Sequence, residues 1–413
     1  MTPSLPPPQA TRLRGMRFAH LIEADGPGGA ERMLASLATE LQAAGSHNVV
    51  IAPAGGEGWL AGELRGTGVQ VELFRLDRPL SPTFARWLAE MLRRHQVALA
   101  HSHEFTMAVY GAWAARRARA AHVFTMHGSR YYAERWRRRI ALRVAAMLSD
   151  SVVTVSHILA QHLRRDLWLN PARIVTIPNG ARHTPVARSS LRDELQLTDT
   201  DQLAVAVGNL YPVKGHAYLL EGLSLLSDRF PRLHVAIAGR GELEQSLRAR
   251  ARELNVANRF HLLGLRSDVG NVLAAADVFV LPSLSEGVPL ALLEAMMAAR
   301  PIVASAVGEV PTVLNGGRTG SLVPPQDVGA LAGAIADLLG DPARARGMGA
   351  AAAARAAEFY TLNAMIDRYA ALYARYLLPA QRPNPQSKPL ETANPTGRLL
   401  PGSTASADQY RDP

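Results

Sequence analysis

Residues 281–308 read LPSLSEGVPLALLEAMMAARPIVASAVG. The run before them, Asp277 to Leu281 (DVFVL), is short, apolar and rich in β-branched residues, which predicts a buried strand. Pro282, Ser283, Ser285, Glu286 and Gly287 are turn and cap residues. Pro289 stands where the first turn of a helix tolerates proline, so a helix is expected over Leu290–Ala299. Pro301–Ser305 gives a second strand. The result is a βαβ unit with a polar loop at the carboxyl end of its first strand, the position at which open α/β sheets bind ligands.

Two glutamates mark this unit, Glu286 in the loop and Glu294 within the helix. Between them the helix N-terminus offers free backbone N–H groups that suit a phosphate. Carboxylates beside an anion site serve as acceptors for hydroxyls, as on a ribose or a sugar. Taken alone, the pair fits an ordinary helix with a solvated glutamate equally well.

The 413 residues suggest two or three domains, and 48% hydrophobic residues with a mean hydropathy of −0.01 suit a globular protein. There is no cysteine, which excludes disulfides, thiolate chemistry and Cys-ligated zinc. No apolar run reaches the ~20 residues of a membrane span. The lead, MTPSLPPPQATRLRG, is Pro-rich without an apolar centre and does not read as a secretory signal, so a cytoplasmic protein is expected. The net charge of +10 is uneven: residues 1–180 carry +9 and the remainder +1. A basic first half suits an anionic membrane or substrate. Nucleic acid is not expected, because no aromatic-basic motif or finger spacing accompanies the charge.

Strand and helix patterns alternate from Arg17 onward. Arg17–Ile22 is followed by a glycine-rich loop, Glu23 to Gly29, and a helix from Ala30, which makes either an anion site or a plain tight turn. These glycines do not form G-x-G-x-x-G. Val97–His101 ends in His-Ser-His-Glu. His101 and His103 share a strand face, but no third metal ligand is evident nearby and no metal is expected. His122–Met126 ends at His127-Gly128. A helix over Tyr131–Leu148 carries Arg135, Arg137, Arg138, Arg139 and Arg143 interleaved with Tyr131, Tyr132, Trp136 and Ile140. Such a helix lies on an anionic bilayer or presents a solvated face. Ser156 is placed to cap the next helix. Periodicity lapses over 181–201, and Asp199-Thr200-Asp201 there reads as a turn rather than a metal-diphosphate pair. A second α/β series opens at Leu203–Gly208, followed by Asn209 and Lys214 at a strand's carboxyl end, and Gly239-Arg240-Gly241-Glu242 follows another strand. Tyr360–Leu377 is a last amphipathic helix. The expected layout is a disordered lead (1–15), two doubly wound Rossmann-like domains facing across a cleft (16–185 and 200–360), a C-terminal helix (361–378), and a disordered tail (379–413).

Over residues 16–377 the chain resembles the retaining glycosyltransferases of family 4, whose two-domain fold is called GT-B. The resemblance rests chiefly on Glu286-Gly-Val-Pro-Leu-Ala-Leu-Leu-Glu294, an E-x7-E motif, with Ala275–Ser283 before it. It is supported by Gly208–Gly215, Gly239–Glu242, Gly28–Arg32, His127-Gly128, Val153–Ser156, Pro301–Ser305, Gly308–Pro311 and Thr319–Pro324 in that family's order. The resemblance implies that the C-terminal domain binds a nucleoside-diphosphate sugar. Glu294 would take the ribose hydroxyls. Glu286 and the loop Gly287, Val288, Pro289 and Leu290 would hold the sugar and diphosphate, with Asn209 and Arg240 beside them. Lys214 would stabilise the departing diphosphate, which is charge preorganised where negative charge develops. Gly28, Gly29 and His127 would close the site, and the acceptor would enter past His103, His127 and Gly128. It further implies transfer to a saccharide or lipid-linked acceptor with retention, no metal or cofactor, a role in cell-surface polysaccharide or glycolipid synthesis, and a C-terminal helix crossing back to the first domain. Two departures stand out: Asn209 where many relatives carry Arg, and Gly308-Glu309 where Gly-Gly is common. A donor-binding scaffold without catalysis is the alternative that Asn209 raises. An epimerase is disfavoured by the glutamate pair and Lys214.

Overall fold

The structure is a computed structural model that describes residues 7–55, 58–76, 78, 80–128, 135–182 and 185–378. Two parallel sheets organise it. The first has seven strands in the order β3-β2-β1-β4-β5-β6-β7: β1 Arg17–Leu21, β2 His47–Pro53, β3 Gln70–Phe74, β4 Leu99–His103, β5 Ala121–Met126, β6 Ser151–Thr154 and β7 Ile174–Thr176. The second has six in the order β10-β9-β8-β11-β12-β13: β8 Gln202–Val207, β9 Leu233–Ala238, β10 Phe260–Leu262, β11 Val278–Leu281, β12 Ile302–Ser305 and β13 Ser321–Val323. The central strands are largely buried because helices cover both faces. β11 and β12, for example, are buried at every residue. In each sheet the order reverses beside the first strand, between β1 and β4 and between β8 and β11. Ligand crevices open at such switch points.

The helices, in chain order, are α1 Pro8–Thr11, α2 Gly29–Ala43, α3 Trp59–Glu63, α4 Pro82–Arg94, α5 Glu104–Ala118, α6 Trp136–Leu148, α7 His157–Leu167, α8 Leu191–Glu194, α9 His216–Leu225, α10 Glu244–Glu253, α11 Val269–Ala275, α12 Leu290–Met297, α13 Val310–Val313, α14 Val328–Gly340, α15 Pro342–Phe359 and α16 Leu362–Leu377. Ser156 caps α7 as its sequence position suggests, accepting from the Leu159 N–H at 3.0 Å. The 18-residue α15 was not anticipated: its run of alanines has strong helix propensity but little apolar contrast between faces. Leu191 of α8 packs with Leu203 and Val205, so the second domain's core begins ahead of β8.

α16 leaves the second domain and docks on the first sheet. Its Met365, Ile366, Tyr369 and Tyr373 pack with Phe18, Leu99, Val123 and Val153. Tyr369 and Tyr373 are fully buried, and burying a side chain of that size contributes roughly 1.5–3 kcal/mol. The same contact corrects the expectation of a disordered lead. Pro8 stands at the first position of α1, where its missing N–H costs nothing. Ala10 and Leu13 are sealed in the α16 cluster, and the Gln9 N–H donates to Asp367 Oδ1 at 2.9 Å. The lead is ordered from residue 7 because α16 offers it an apolar surface that the local sequence does not reveal. Residues 1–6, the expected tail 379–413 and the start of the Arg-rich helix at 131–134 lie outside the described residues.

Candidate active site

The carboxyl ends of β8 and β11 meet at one loop pair. Lys214 Nζ donates to Glu286 Oε1 at 2.7 Å, and Ser283 Oγ donates to the same oxygen at 2.7 Å. The Glu286 side chain is only 7% exposed, and these two bonds satisfy one of its oxygens. The pairing in turn holds the Lys214 ammonium at the cavity wall. The loop is fixed from behind by Gly308, whose φ of +51° favours glycine and where a Cβ would lie 1.8 Å from the Glu286 carbonyl oxygen. Gly215, at φ +65°, likewise lets the Lys214 loop approach Pro282, where a Cβ would meet the carbonyl oxygen at 2.0 Å.

Glu294 projects from the second turn of α12 into the same cavity. Its carboxyl has no hydrogen-bond partner among the described residues, and burial pushes it up to about 7 against the opposing pull of Arg32. The cavity, about 260 Å3, is walled by both domains. The second domain contributes Gly208, Asn209, Lys214, Gly239, Arg266 and the run Glu286–Ala291 with Glu294; the first contributes Pro27–Ala30, Arg32, His127, Val155 and Asn179. The sequence-predicted set Gly28, Gly29, His127, Asn209, Lys214, Glu286, Gly287, Val288, Pro289, Leu290 and Glu294 is therefore gathered on one cavity.

Three predicted residues sit elsewhere. Arg240 is exposed and outside the cavity lining, because the tight Gly239–Gly241 turn presents its backbone to the loop, where Leu210 N–H donates to the Arg240 carbonyl at 2.9 Å. His103 is fully buried, with the His127 ring at the cavity and its own ring behind, Nδ1 to Nε2 at 3.2 Å. Gly128 is exposed beyond the lining. Two arginines not singled out from the sequence line the cavity. Arg32 lies in the first turn of α2, its Nε donating to the Pro27 carbonyl at 3.2 Å and its guanidinium over Trp59. Arg266 is bound to Asp268 at 2.7 Å and Glu194 at 2.9 Å. Arg32 was already visible in the Gly28–Arg32 run, four residues beyond the first glycine. The α2 N-terminus is also less open than its glycines suggest. The Glu31 carboxylate folds back so that a Cβ on Gly28 would meet it at 2.4 Å.

Beside His127 lies Glu104, whose backbone holds the left-handed conformation at φ +65°. Its carboxyl accepts the His127 backbone N–H, and burial with Glu23 and Glu31 nearby pushes it up to about 8. Burial pushes the His127 imidazole down to about 4, so it is neutral at pH 7. The domains also touch directly. Asn179 Nδ2 donates to the Val288 carbonyl at 2.9 Å, and the Ile158 N–H in the first turn of α7 donates to Glu309 Oε2 at 3.3 Å. Glu309, the departure from Gly-Gly, thus caps a helix of the opposite domain.

Among the described residues one histidine cluster has ligand-like spacing: His20, His101 and His103, with one ring nitrogen of each within 4.8 Å of the others. His20 is the neighbour that sequence reading lacked, brought in by the β1–β4 register His20↔His101. Both nitrogens of His101 are taken, by Tyr373 OH at 2.6 Å and Thr125 Oγ1 at 2.8 Å. Two nitrogens remain, fewer than a metal's usual three or four protein ligands.

The family description "Glycosyltransferase Family 4" matches residues 27–184, and "Glycosyl transferases group 1" matches 201–341. The chain is 28% identical over 269 residues to the UDP-Gal:alpha-D-GlcNAc-diphosphoundecaprenol alpha-1,3-galactosyltransferase of Escherichia coli, covering 62% of this chain and 69% of that one. It is 35% identical over 178 residues to the GDP-mannose-dependent alpha-(1-6)-phosphatidylinositol monomannoside mannosyltransferase of Mycolicibacterium smegmatis, covering 40% and 46%. Among solved structures, Anabaena HepE in complex with UDP-glucose superposes with a TM-score of 0.75 at 23% identity, covering 86% of this chain and 98% of that one. A glycosyltransferase from Rickettsia africae gives 0.76 at 20%, covering 88% and 99%. At these identities the structural likeness speaks for the fold. With both domains matched in order and the E-x7-E loop paired with Lys214 at the cavity, the chain belongs to the family 4 glycosyltransferases and has their GT-B fold.

Proposed function

We propose that this glycosyltransferase moves a sugar from a nucleoside-diphosphate sugar to a saccharide or lipid-linked acceptor, with retention of anomeric configuration and without a metal. The observation that carries the reading is the cavity holding Lys214, Glu286 and Glu294 together. Lys214, backed by Glu286, faces the place where the diphosphate leaves. The open N-terminus of α12 adds backbone N–H groups for the same anion. Glu294, without a partner among the described residues, accepts the ribose hydroxyls. Arg32, from the opposite domain, supplies a second cation where Asn209 does not. The two relatives, named for UDP-galactose and GDP-mannose as donors and for lipid-borne acceptors, agree with this class. Retention fits attack from the same face as the departing phosphate, which takes the acceptor proton. The test is a panel of nucleotide sugars, with and without EDTA, read by thermal shift and by the product's anomeric NMR coupling. Stabilisation by one donor and a retained product, both insensitive to EDTA, are expected. Donor binding with neither transfer nor hydrolysis refutes the catalytic reading and leaves the scaffold. Binding abolished by EDTA refutes metal independence.

The lipid-linked half of this reading draws on α6. Trp136, Ile140, Val144 and Met147 follow one helical stripe and are 61%, 53%, 43% and 52% exposed, with Trp168 alongside at 78%. Arg137, Arg138, Arg139 and Arg143 flank them, and no acidic residue lies between Arg135 and Leu148. An apolar stripe rimmed by arginine suits the surface of an anionic bilayer. Wild-type protein is expected to float with vesicles containing phosphatidylglycerol but not with pure phosphatidylcholine, and Trp136→Ala with Ile140→Ser to abolish flotation. Failure of the wild type to float at moderate salt refutes the membrane contact. No helix among the described residues is long and apolar enough to cross a membrane.

A further inference from the structure

Behind His127 runs a row of buried side chains whose hydrogen bonds can be followed from the far end. Ser46 Oγ donates to the Leu41 carbonyl at 2.7 Å, so it accepts from Asn48 Nδ2 at 2.9 Å. That orients the Asn48 amide with Oδ1 toward His20 Nε2, 3.1 Å away. His20 Nε2 therefore carries the ring proton, and His20 Nδ1 is a bare acceptor. It is sealed and has no partner. His103 Nε2 is likewise sealed without a partner, and both residues are 0% exposed. The two rings, with centroids 6.5 Å apart, belong to the cluster in which one ring nitrogen of each residue lies within 4.8 Å of the others.

Two sealed polar atoms left unsatisfied are costly. With His103 also bare at Nε2, two lone pairs would face one another. A proton on His103 Nε2 answers both vacancies. It reaches His20 Nδ1 after a small ring rotation, or through one water that accepts from His103 and donates to His20. His103 Nδ1 is then bare and accepts from His127 Nε2–H across 3.2 Å. Burial keeps the row neutral at pH 7, with His20 and His127 both pushed down to about 4.

We propose that His20 and His103 are positioning residues that fix His127 as its Nε2–H tautomer, leaving a bare Nδ1 on a cavity-lining residue to accept a hydrogen bond from a substrate hydroxyl. The proposal rests on the placement of His127 in the transfer site. It adds that the ring's polarity there is set three residues along the row, by the Asn48 amide on β2.

The test is nitrogen NMR on full-length chain labelled at histidine, with His127 assigned by its loss in His127→Gln. Wild-type His127 is expected to show a protonated Nε2 and an unprotonated Nδ1. His20→Leu removes the last acceptor without touching the cavity. It is expected to mix or invert the His127 tautomer. If the productive tautomer falls to roughly one tenth, kcat/KM falls about tenfold. His103→Asn puts an amide oxygen where Nδ1 stood and is expected to keep the tautomer and most of kcat/KM, whereas His103→Leu loses both. A protonated Nδ1 on wild-type His127, or an unchanged tautomer in folded His20→Leu, overturns the proposal. If the variants do not fold, the wild-type spectrum alone decides it. A preparation that transfers no sugar still reports its tautomer, so failure of the proposed reaction and failure of this inference are separately visible.

Discussion

Glu294→Gln should make the unliganded protein more stable and the donor complex much weaker. The carboxyl is held up to about 7 by burial, against 4.5 in an unburied glutamate. Because the folded-state value is the higher one, the native state binds more protons than the unfolded state between those two pH values. Stability is therefore lost as pH rises from about 4.5 through 7, and the penalty is fully present above that. The difference corresponds to about 3 kcal/mol at pH 8, from 1.36 kcal/mol per unit. Glutamine has nearly the same shape and no such penalty. For a domain of this size roughly 2–4 °C accompanies each kcal/mol, so Tm should rise by roughly 6–12 °C at pH 8 and hardly change at pH 4.5. With donor present the order reverses. The ionised carboxylate accepts from ribose hydroxyls, each such bond contributing about 1.5–3 kcal/mol, and the variant's Kd should rise by about two orders of magnitude. Paired thermal melts at the two pH values, with and without donor, read both effects. A variant no more stable than wild type at pH 8, or one that binds donor equally well, refutes the assignment of Glu294 as a carboxylate kept unpartnered for its ligand.

Lys214→Ala should lower kcat about 10²–10³-fold, as for loss of one preorganised charge at a leaving group, and stopped-flow turnover of the best donor measures it. Gly308→Ala puts a Cβ 1.8 Å from the Glu286 carbonyl at φ +51°; donor binding should fail and Tm drop, by calorimetry, while the far-UV spectrum is kept. Glu309→Ala leaves the Ile158 N–H without its acceptor and removes a contact between the domains. Small-angle scattering should show a larger radius of gyration without donor, and donor affinity should fall about fivefold; Glu309→Gln, which keeps an acceptor, should behave as wild type.

The βαβ unit at 277–305 was legible because its signals are local. An apolar run, a proline at a helix start and two glutamates at fixed spacing mean the same thing wherever the unit docks. Lys214 and His127 were legible as strand-end residues for the same reason, since parallel sheets present those ends to a ligand. The three misplacements share one cause. His103, Arg240 and Gly128 also stand at or just past strand ends, and strand position alone does not say which side chain lines the cavity and which is turned into the core or out to solvent.

The sequence alone settled the alternation of strands and helices, the division into two doubly wound units and the loop carrying Glu286, because periodicity and turn chemistry act over a few residues. Only the tertiary structure decided that the lead folds under α16, that Arg32 faces Glu294 from the other domain, that Glu309 caps α7, and that His20 stands behind His103. Each of these joins residues far apart in the chain. Burial, carboxyl ionisation and imidazole tautomer depend on what closes over a group in space, and no stretch of sequence carries that information.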